Sequence, residues 1–360
     1  MYTKFYNLAE QYEDQRYEIM QAIDQVAKGG QYFADSAVAR FESLISRLYD
    51  RASCAGCSSG TAGLYIALMA AKLPPNSHVL IPAMTYVATA NAVVSAGLIP
   101  VCVDINHFWL MDYDLLNEYL DKMPNVSAVI VVDLYGQGVD LVRYKALCDH
   151  YKVKLIVDAA QSFELKYDHY HQIDYCDSLA LSFNPLKNLG AMGNAGAVVS
   201  KNYTVDELKV WTHQGKHKND VVNPGLNLRI DAIQAAVLTV KYDRFDDAMQ
   251  RKAAISWLYK TEFEGKILMP ERIMYATPTN YVFVVAPRYP DVLKTFLSLN
   301  NIEYASHYEK PVHHYTAYKT TIDYCPFASS LAGRIVSLPN HWHMKNEEID
   351  RVIETVKQVF

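Results

Sequence analysis

LIVDAAQSFE at Leu155–Glu164 and SFNPLKNLGAMGNAGAVVS at Ser182–Ser200, seventeen residues apart, decide the fold. An apolar run (Val153, Leu155, Ile156, Val157) ends on Asp158, and a second run, Leu179 to Phe183, leads into a Gly- and Asn-rich loop. Lys187 lies in that loop, 29 residues after Asp158. Read singly, an Asp ending a buried strand is a cap or salt-bridge partner, and a loop Lys is solvated. Read together, they put a carboxylate at the carboxyl end of one strand and an amine just beyond the next. That pair suits pyridoxal phosphate, which needs a carboxylate on its ring nitrogen and an amine for its aldehyde.

Outward from this stretch, short apolar runs alternate with helical patterns. His78–Pro82, Pro100–Ile105, Ala128–Gly136, Lys154–Ala160, Ser178–Phe183 and Ala195–Ser200 read as strands. Helical patterns at Val87–Ala96, Asp114–Lys122 and Arg143–Tyr151 fall between them. Runs apolar on both faces and followed by helices predict an α/β fold, a mostly parallel sheet sandwiched by helices. Residues 16–50 read as largely helical. After Arg229 one long helical pattern leads into a smaller α+β texture, so the chain divides into a large domain with an N-terminal arm (1–245) and a small C-terminal domain (246–360).

Composition narrows the function. The 360 residues are 51% hydrophobic and 20% charged, an ordinary soluble profile with room for two cores. A net charge of −5 gives no basic footprint for nucleic acid or anionic membrane. No apolar run reaches spanning length and the polar, acidic start is unlike a signal peptide, so the expected location is the cytoplasm. Cys54-Ala-Gly-Cys57 has metal or redox spacing, but nothing nearby completes a site; buried thiols and no metal are expected.

Ser59-Gly60-Thr61-Ala62 enters a helical run, and such a turn offers backbone N–H groups and a hydroxyl to a phosphate. Alone, it reads as an ordinary N-cap. Ser182 could supply a second hydroxyl to the same phosphate. Tyr86 follows a strand and could stack on a planar ring, or simply pack on the sheet edge. Gln161 lies close enough to Asp158 to reach the ring oxygen of the same cofactor. The glycines from Gly190 to Gly196 follow the lysine and lead into a strand, an order that excludes a dinucleotide-binding turn.

In this order the segments resemble the DegT-type sugar aminotransferases, a branch of the fold-type I pyridoxal phosphate enzymes. SSGTAGLYIAL, PAMTYVATANAVVSAGLIPVCVDI, VVDLYGQGVDL, VDAAQSFE, SFNPLKNLGAMGNAGAVVS, GLNLRIDAIQAAVL, HYEKPVH and SLPN carry the resemblance nearly end to end. It implies that Lys187 holds the cofactor's aldehyde and shuttles protons, and that Asp158 keeps the pyridine nitrogen protonated. Tyr86 would stack on the ring, Gln161 would touch its oxygen side, and Gly60, Thr61, Ala62 and Ser182 would hold the phosphate. Asn227 would reach the phosphate bound in a neighbouring subunit, which implies a homodimer with shared sites. His307, Tyr308 and His313 fall where the small domain faces substrate. Arg229 either meets the donor's carboxylate or makes a structural ion pair, for example with Asp231.

Three positions depart from the pattern. Asp133 stands where relatives usually have His, and is expected to alter substrate contacts. Asn194 replaces a carboxylate in the lysine loop, and Asn280 replaces a common His. The resemblance implies transfer of an amine from L-glutamate to a keto-deoxy sugar carried on a nucleotide, for lipopolysaccharide, glycan or antibiotic synthesis. The KNLGAMGNAG loop favours carbon 3 over carbon 4. An oxidised octulosonate is an alternative acceptor. A sugar dehydratase is a rival, weakened by Lys187, since such relatives carry His there. A non-catalytic regulator on the same fold is a further rival.

Overall fold

The computed structural model describes residues 2–33, 36–168, 170–318 and 324–360. Its central sheet has seven strands: β1 (Ser53–Cys57), β2 (His78–Pro82), β3 (Ile99–Val103), β4 (Val126–Val132), β5 (Lys154–Asp158), β6 (Ser178–Ser182) and β7 (Gly196–Ser200). They lie in the order β1-β7-β6-β5-β4-β2-β3. Strands β2 to β6 are mutually parallel, and β7 runs antiparallel to both of its neighbours. The α/β, mostly parallel architecture expected from the apolar runs is the one formed. Strands such as Leu179–Ser182 are buried on both faces, and helices including Gly60–Ala70 and Ala88–Ser95 cover them.

Two elements differ from the sequence reading. Apolar patterning gives no strand at SCAGC, which lacks the β-branched and aromatic residues that mark strands. Pairing with β7, from Ser53 opposite Ser200 to Cys57 opposite Gly196, overrides that weak local preference. The single helical pattern after Arg229 is two helices, Ala232–Tyr242 and Phe245–Phe263, parted at Asp243–Arg244. Their buried faces serve different cores. Ala235 and Leu238 join the large core around the sheet, whereas Ile255, Tyr259 and Phe263 pack with Leu293, Val336 and Val352 in a second cluster. All six cysteines are buried thiols.

The return from β6 to β7 positions the candidate site. Ser182 pairs with Gly196, and the intervening loop closes on itself through Phe183 N–H to Ala195 O (2.8 Å) and Ala191 N–H to Phe183 O (2.8 Å). Lys187 is thereby held at the carboxyl end of β6, next to the end of β5 that carries Asp158. At the opposite extreme of the chain, Thr3 bridges to Ile302, and Glu303 Oε2 accepts the Phe5 amide at 2.7 Å. The N-terminal arm thus lies along the C-terminal part.

Two glycines let the helix start abut the sheet. A Cβ on Gly60 would come within 2.7 Å of Ser182 Cβ, and one on Gly196 within 2.4 Å of the Ser59 carbonyl group. The second obstacle is backbone, which cannot swing aside. Gly196→Ala is therefore expected to lower stability by about 2 kcal/mol or more, the scale of overpacking a tight interior. Denaturant unfolding checks this, and an unchanged midpoint would contradict the close approach.

Candidate active site

Asp158, Lys187, Gly60, Ser182, Tyr86 and Tyr308 line one cavity of about 490 Å3 above the carboxyl ends of the parallel strands. Ligands settle at this edge in open α/β sheets because the strand-to-helix loops converge there. Thr61, Gln161 and His307 line the same space.

Asp158 ends β5 and is buried. Thr89 Oγ1 donates to its Oδ2 at 2.8 Å, and the Ala160 amide donates to Oδ1 at 3.2 Å. Burial pushes its pKa up, while these hydrogen bonds and the charge of Lys187 oppose the rise. Thr89 is itself tied to Thr85 Oγ1 at 2.9 Å, so the carboxylate is held from the Ala88–Ser95 helix. The Lys187 ammonium lies over the Tyr281 ring, 4.4 Å from its centre.

Gln161 is locked at both ends of its amide. Its Oε1 accepts from the Tyr135 backbone N–H at 2.6 Å, and its Nε2 donates to the Tyr308 hydroxyl at 2.9 Å. Tyr135 has φ +60°, a left-handed conformation unusual for a bulky residue, and its hydroxyl donates to the His307 carbonyl at 2.6 Å. The His307 ring bonds Ser337 Oγ through Nδ1 at 2.8 Å; burial, helped by Lys187, pulls its pKa down to about 4. It is a neutral imidazole at physiological pH. The Tyr86 and Tyr308 rings meet with centres 5.5 Å apart, and 57% of Tyr86 remains open.

At the other end of the cavity, the Gly60–Ala70 helix begins behind the Ser59 cap, whose Oγ accepts the Ala62 amide at 3.1 Å. The Ala62 N–H is thus committed to the cap. The amides of Gly60 and Thr61 belong to the first turn, where no intrahelical acceptor exists, and Ser182 sits against Gly60. This end suits an anion. The whole arrangement can seat a flat, phosphorylated heterocycle, with a carboxylate beside a ring nitrogen and an amine near a carbonyl.

Besides Ala62, whose amide is taken by the cap, three expected residues lie outside the cavity of their own chain. Asn227 Oδ1 accepts from Arg229 Nε at 3.2 Å, and the Arg229 guanidinium lies 4.7 Å from the centre of the Phe33 ring. Asp231 caps the Ala232–Tyr242 helix by accepting the Gln234 amide, so its carboxylate is engaged there. His313 bonds Ser329 Oγ at 3.0 Å in a separate turn. Asp133 is also off the cavity, contrary to the expected substrate contact. It is buried under the site, where its Oδ2 accepts from Ser162 Oγ at 2.5 Å and from Gln172 Nε2. Thr89, Tyr135 and Tyr281 escape sequence reasoning because each arrives from a distant segment. Thr89 and Tyr135 do lie in the TYVAT and VVDLYGQG segments that the sequence singles out, but nothing there marks the partner each one reaches.

Residues 13–357 match the model of the DegT/DnrJ/EryC1/StrS aminotransferase family, and the chain belongs to that family. It is 31% identical over 369 residues to the erythromycin biosynthesis sensory transduction protein EryC1 of Saccharopolyspora erythraea, covering 99% of each. It is 30% identical over 375 residues to the dTDP-3-amino-3,4,6-trideoxy-alpha-D-glucose transaminase of Micromonospora megalomicea, covering 100% of this chain and 99% of that one. The fold is also similar to that of NtdA from Bacillus subtilis with bound cofactor PMP: TM-score 0.91, 25% identity, 99% of this chain and 85% of that one.

The buried Asp133 makes stability depend on pH. Burial raises its pKa to about 7, although Ser162 and Gln172 oppose the shift. The folded protein therefore binds this proton more tightly than the unfolded chain, whose Asp titrates near ~3.9. The resulting stabilisation is complete below about pH 4 and is lost as pH rises through about 7. Asp133→Asn cannot ionise, so its stability relative to wild type should climb by the order of a few kcal/mol between about pH 4 and pH 8. Thermal unfolding across that range checks it. A constant difference would show that Asp133 stays charged.

Proposed function

We propose that this protein is a pyridoxal phosphate-dependent sugar aminotransferase that carries an amine from L-glutamate to a nucleotide-linked keto-deoxy sugar, at carbon 3. One observation carries the reading: a buried carboxylate, Asp158, and an amine, Lys187, share a cavity whose other end is the first turn of a helix. The donor set fits the cofactor. The amides of Gly60 and Thr61 stand at a helix start beside the Ser182 hydroxyl, so close that a Cβ at Gly60 would strike Ser182, and such a group of donors suits a phosphate. NtdA, with its bound PMP (the aminated form of the same cofactor), shares the fold across 99% of this chain.

Bound there, the cofactor supplies an aldehyde that takes up the donor's amine and a ring that takes up electrons released at the donor's Cα. Lys187 Nζ removes the proton from the donor's Cα, and returns a proton in the second half of the cycle. Asp158 keeps a proton on the ring nitrogen, the role for which a carboxylate buried beside a basic heterocycle is suited. Tyr86 would stack on the ring, and Gln161, locked by Tyr135 and Tyr308, would lie toward its oxygen side. Ala62 contributes through the Ser59 cap. His307 and Tyr308 line the acceptor side. The two halves balance: glutamate leaves as 2-oxoglutarate, and its nitrogen replaces the ketone oxygen of the sugar.

We assign Asn227 to the phosphate of a second subunit, in a homodimer. This is supported by its exposed position outside its own cavity and by the neighbouring exposed apolar residues Val221, Val222 and Leu226. Arg229 and His313, also outside it, serve the same shared site or its rim. The carbon 3 assignment rests on the KNLGAMGNAG loop, and the Micromonospora relative is named for a 3-amino sugar. The product feeds lipopolysaccharide, glycan or antibiotic synthesis in the cytoplasm.

Visible absorbance tests the reading. Protein with pyridoxal phosphate should show a yellow band that bleaches on adding L-glutamate, and Lys187→Ala should lack the lysine-dependent band. A band that persists in Lys187→Ala would overturn the assignment of the lysine. One that wild type shows but glutamate leaves unchanged would overturn the donor.

A further inference from the structure

Lys252 is a buried lysine in the middle of the Phe245–Phe263 helix, where sequence patterning reads a charged residue as part of a solvated face. Its Nζ donates to Asn188 Oδ1 at 2.7 Å and to the Tyr281 carbonyl at 2.9 Å. Both partners are neutral. Burial accordingly pulls its pKa down to about 7. A long, entropically costly side chain has been buried to make two hydrogen bonds, and both bonds end at the surroundings of Lys187.

Asn188 is the residue after Lys187, and its Nδ2 donates to the Thr279 carbonyl at 2.9 Å. Thr279 Oγ1 in turn donates to the Gln161 carbonyl at 2.8 Å. Tyr281 is the residue whose ring lies beneath the Lys187 ammonium, and its own amide donates to the Tyr135 carbonyl at 3.1 Å. Lys252 therefore ties together the loop that carries Lys187 and the backbone that carries the ring beneath it. A second buried lysine, Lys241, reaches the same loop from the preceding helix, through the Gly190 carbonyl.

We propose that Lys252 is a positioning residue for Lys187: by holding the Asn188 side chain and the Tyr281 backbone, it fixes where the Lys187 amine stands in the cavity. The inference rests on Lys187 being the reacting amine. Lys252 does not line that cavity, so it acts on the rate of proton transfer and leaves substrate binding alone.

Lys252→Met keeps the length of the stem and removes the donor, and Asn188→Ala removes its partner on the loop. Two measurements on each variant test the proposal. In the cofactor-free protein, amide hydrogen exchange of residues 184–194 should quicken in both variants. In the pyridoxal phosphate-loaded protein, the lysine-dependent band should persist, but its maximal bleaching rate with L-glutamate should fall about tenfold or more. The half-saturating glutamate concentration should change by less than about twofold. The double variant should be little slower than Lys252→Met alone, because the two residues act through one contact. Should Lys252→Met not fold, Asn188→Ala carries the same expectations. Wild-type bleaching, unchanged exchange, or rate losses that multiply in the double variant would each overturn the role of Lys252. Persistence of the band in Lys187→Ala would instead overturn the assignment on which it rests.

Discussion

The structure depends on the absence of two side chains. Gly60 and Gly196 let the start of a helix touch the end of a sheet, and no other residue fits between them. That contact sets the anion-binding end of the cavity against Ser182, the last residue of β6, and fixes the point at which the chain turns back into β7. The loop that follows Ser182 must then rise over the carboxyl ends of β5 and β6, where Asp158 waits. A side chain at either glycine would part the two halves of the site before any chemistry was considered. The reversed direction of β7 serves the same end. It returns the chain at once, through a short loop, where a parallel strand would have needed a long crossover.

Around this frame the interior holds more ionisable groups than a simple core tolerates, and each is answered differently. Asp158 has hydrogen bonds from Thr89 and Ala160 and a cation nearby, which keep a buried carboxylate serviceable. Asp133, one residue beyond β4, has donors for Oδ2 alone, while its Oδ1 is buried with no hydrogen-bond partner. It is the more strongly perturbed of the pair. Their backbones are joined, the Asp133 amide donating to the Asp158 carbonyl at 3.2 Å. Two adjacent carboxyls thus carry different protonation behaviour, because one faces a cavity and the other faces packing.

Much of this was legible in the sequence. Asp158, Lys187 and Ser182 announce themselves because each ends or follows a buried apolar run, and Gly60 because it sits in a capped helix start. The helix break at Asp243–Arg244 and the strand Ser53–Cys57 were not legible. The first depends on which of two cores each helix faces, and the second on a partner strand far along the chain. Thr89 and Tyr135 are hidden for the same reason. Thr89 lies 69 residues from the carboxylate it holds, and a threonine in a helix carries no mark of such a task. Tyr281 shows only as one apolar residue before a short strand. Arg229 was visible as a cation, but the sequence left its partner open, and Phe33 with Asn227 is what its own chain provides.

The arm formed by the first residues bears on how the molecule is made. Phe5 stacks near His307 with ring centres 6.0 Å apart, the Tyr6 hydroxyl meets that of Tyr281 at 3.5 Å, and Thr3 pairs with Ile302. Residues 3–6 are thus held by residues that are synthesised nearly three hundred positions after them. Until the segment beyond residue 300 has been synthesised, Thr3 and Phe5 lack their partners and the wall around Lys187 lacks His307 and Tyr308. The sheet can assemble during translation, strand by strand, but completion of the pocket must wait for His307 and Tyr308. A nascent chain would hold the lysine and the acid in place well before it could enclose anything between them.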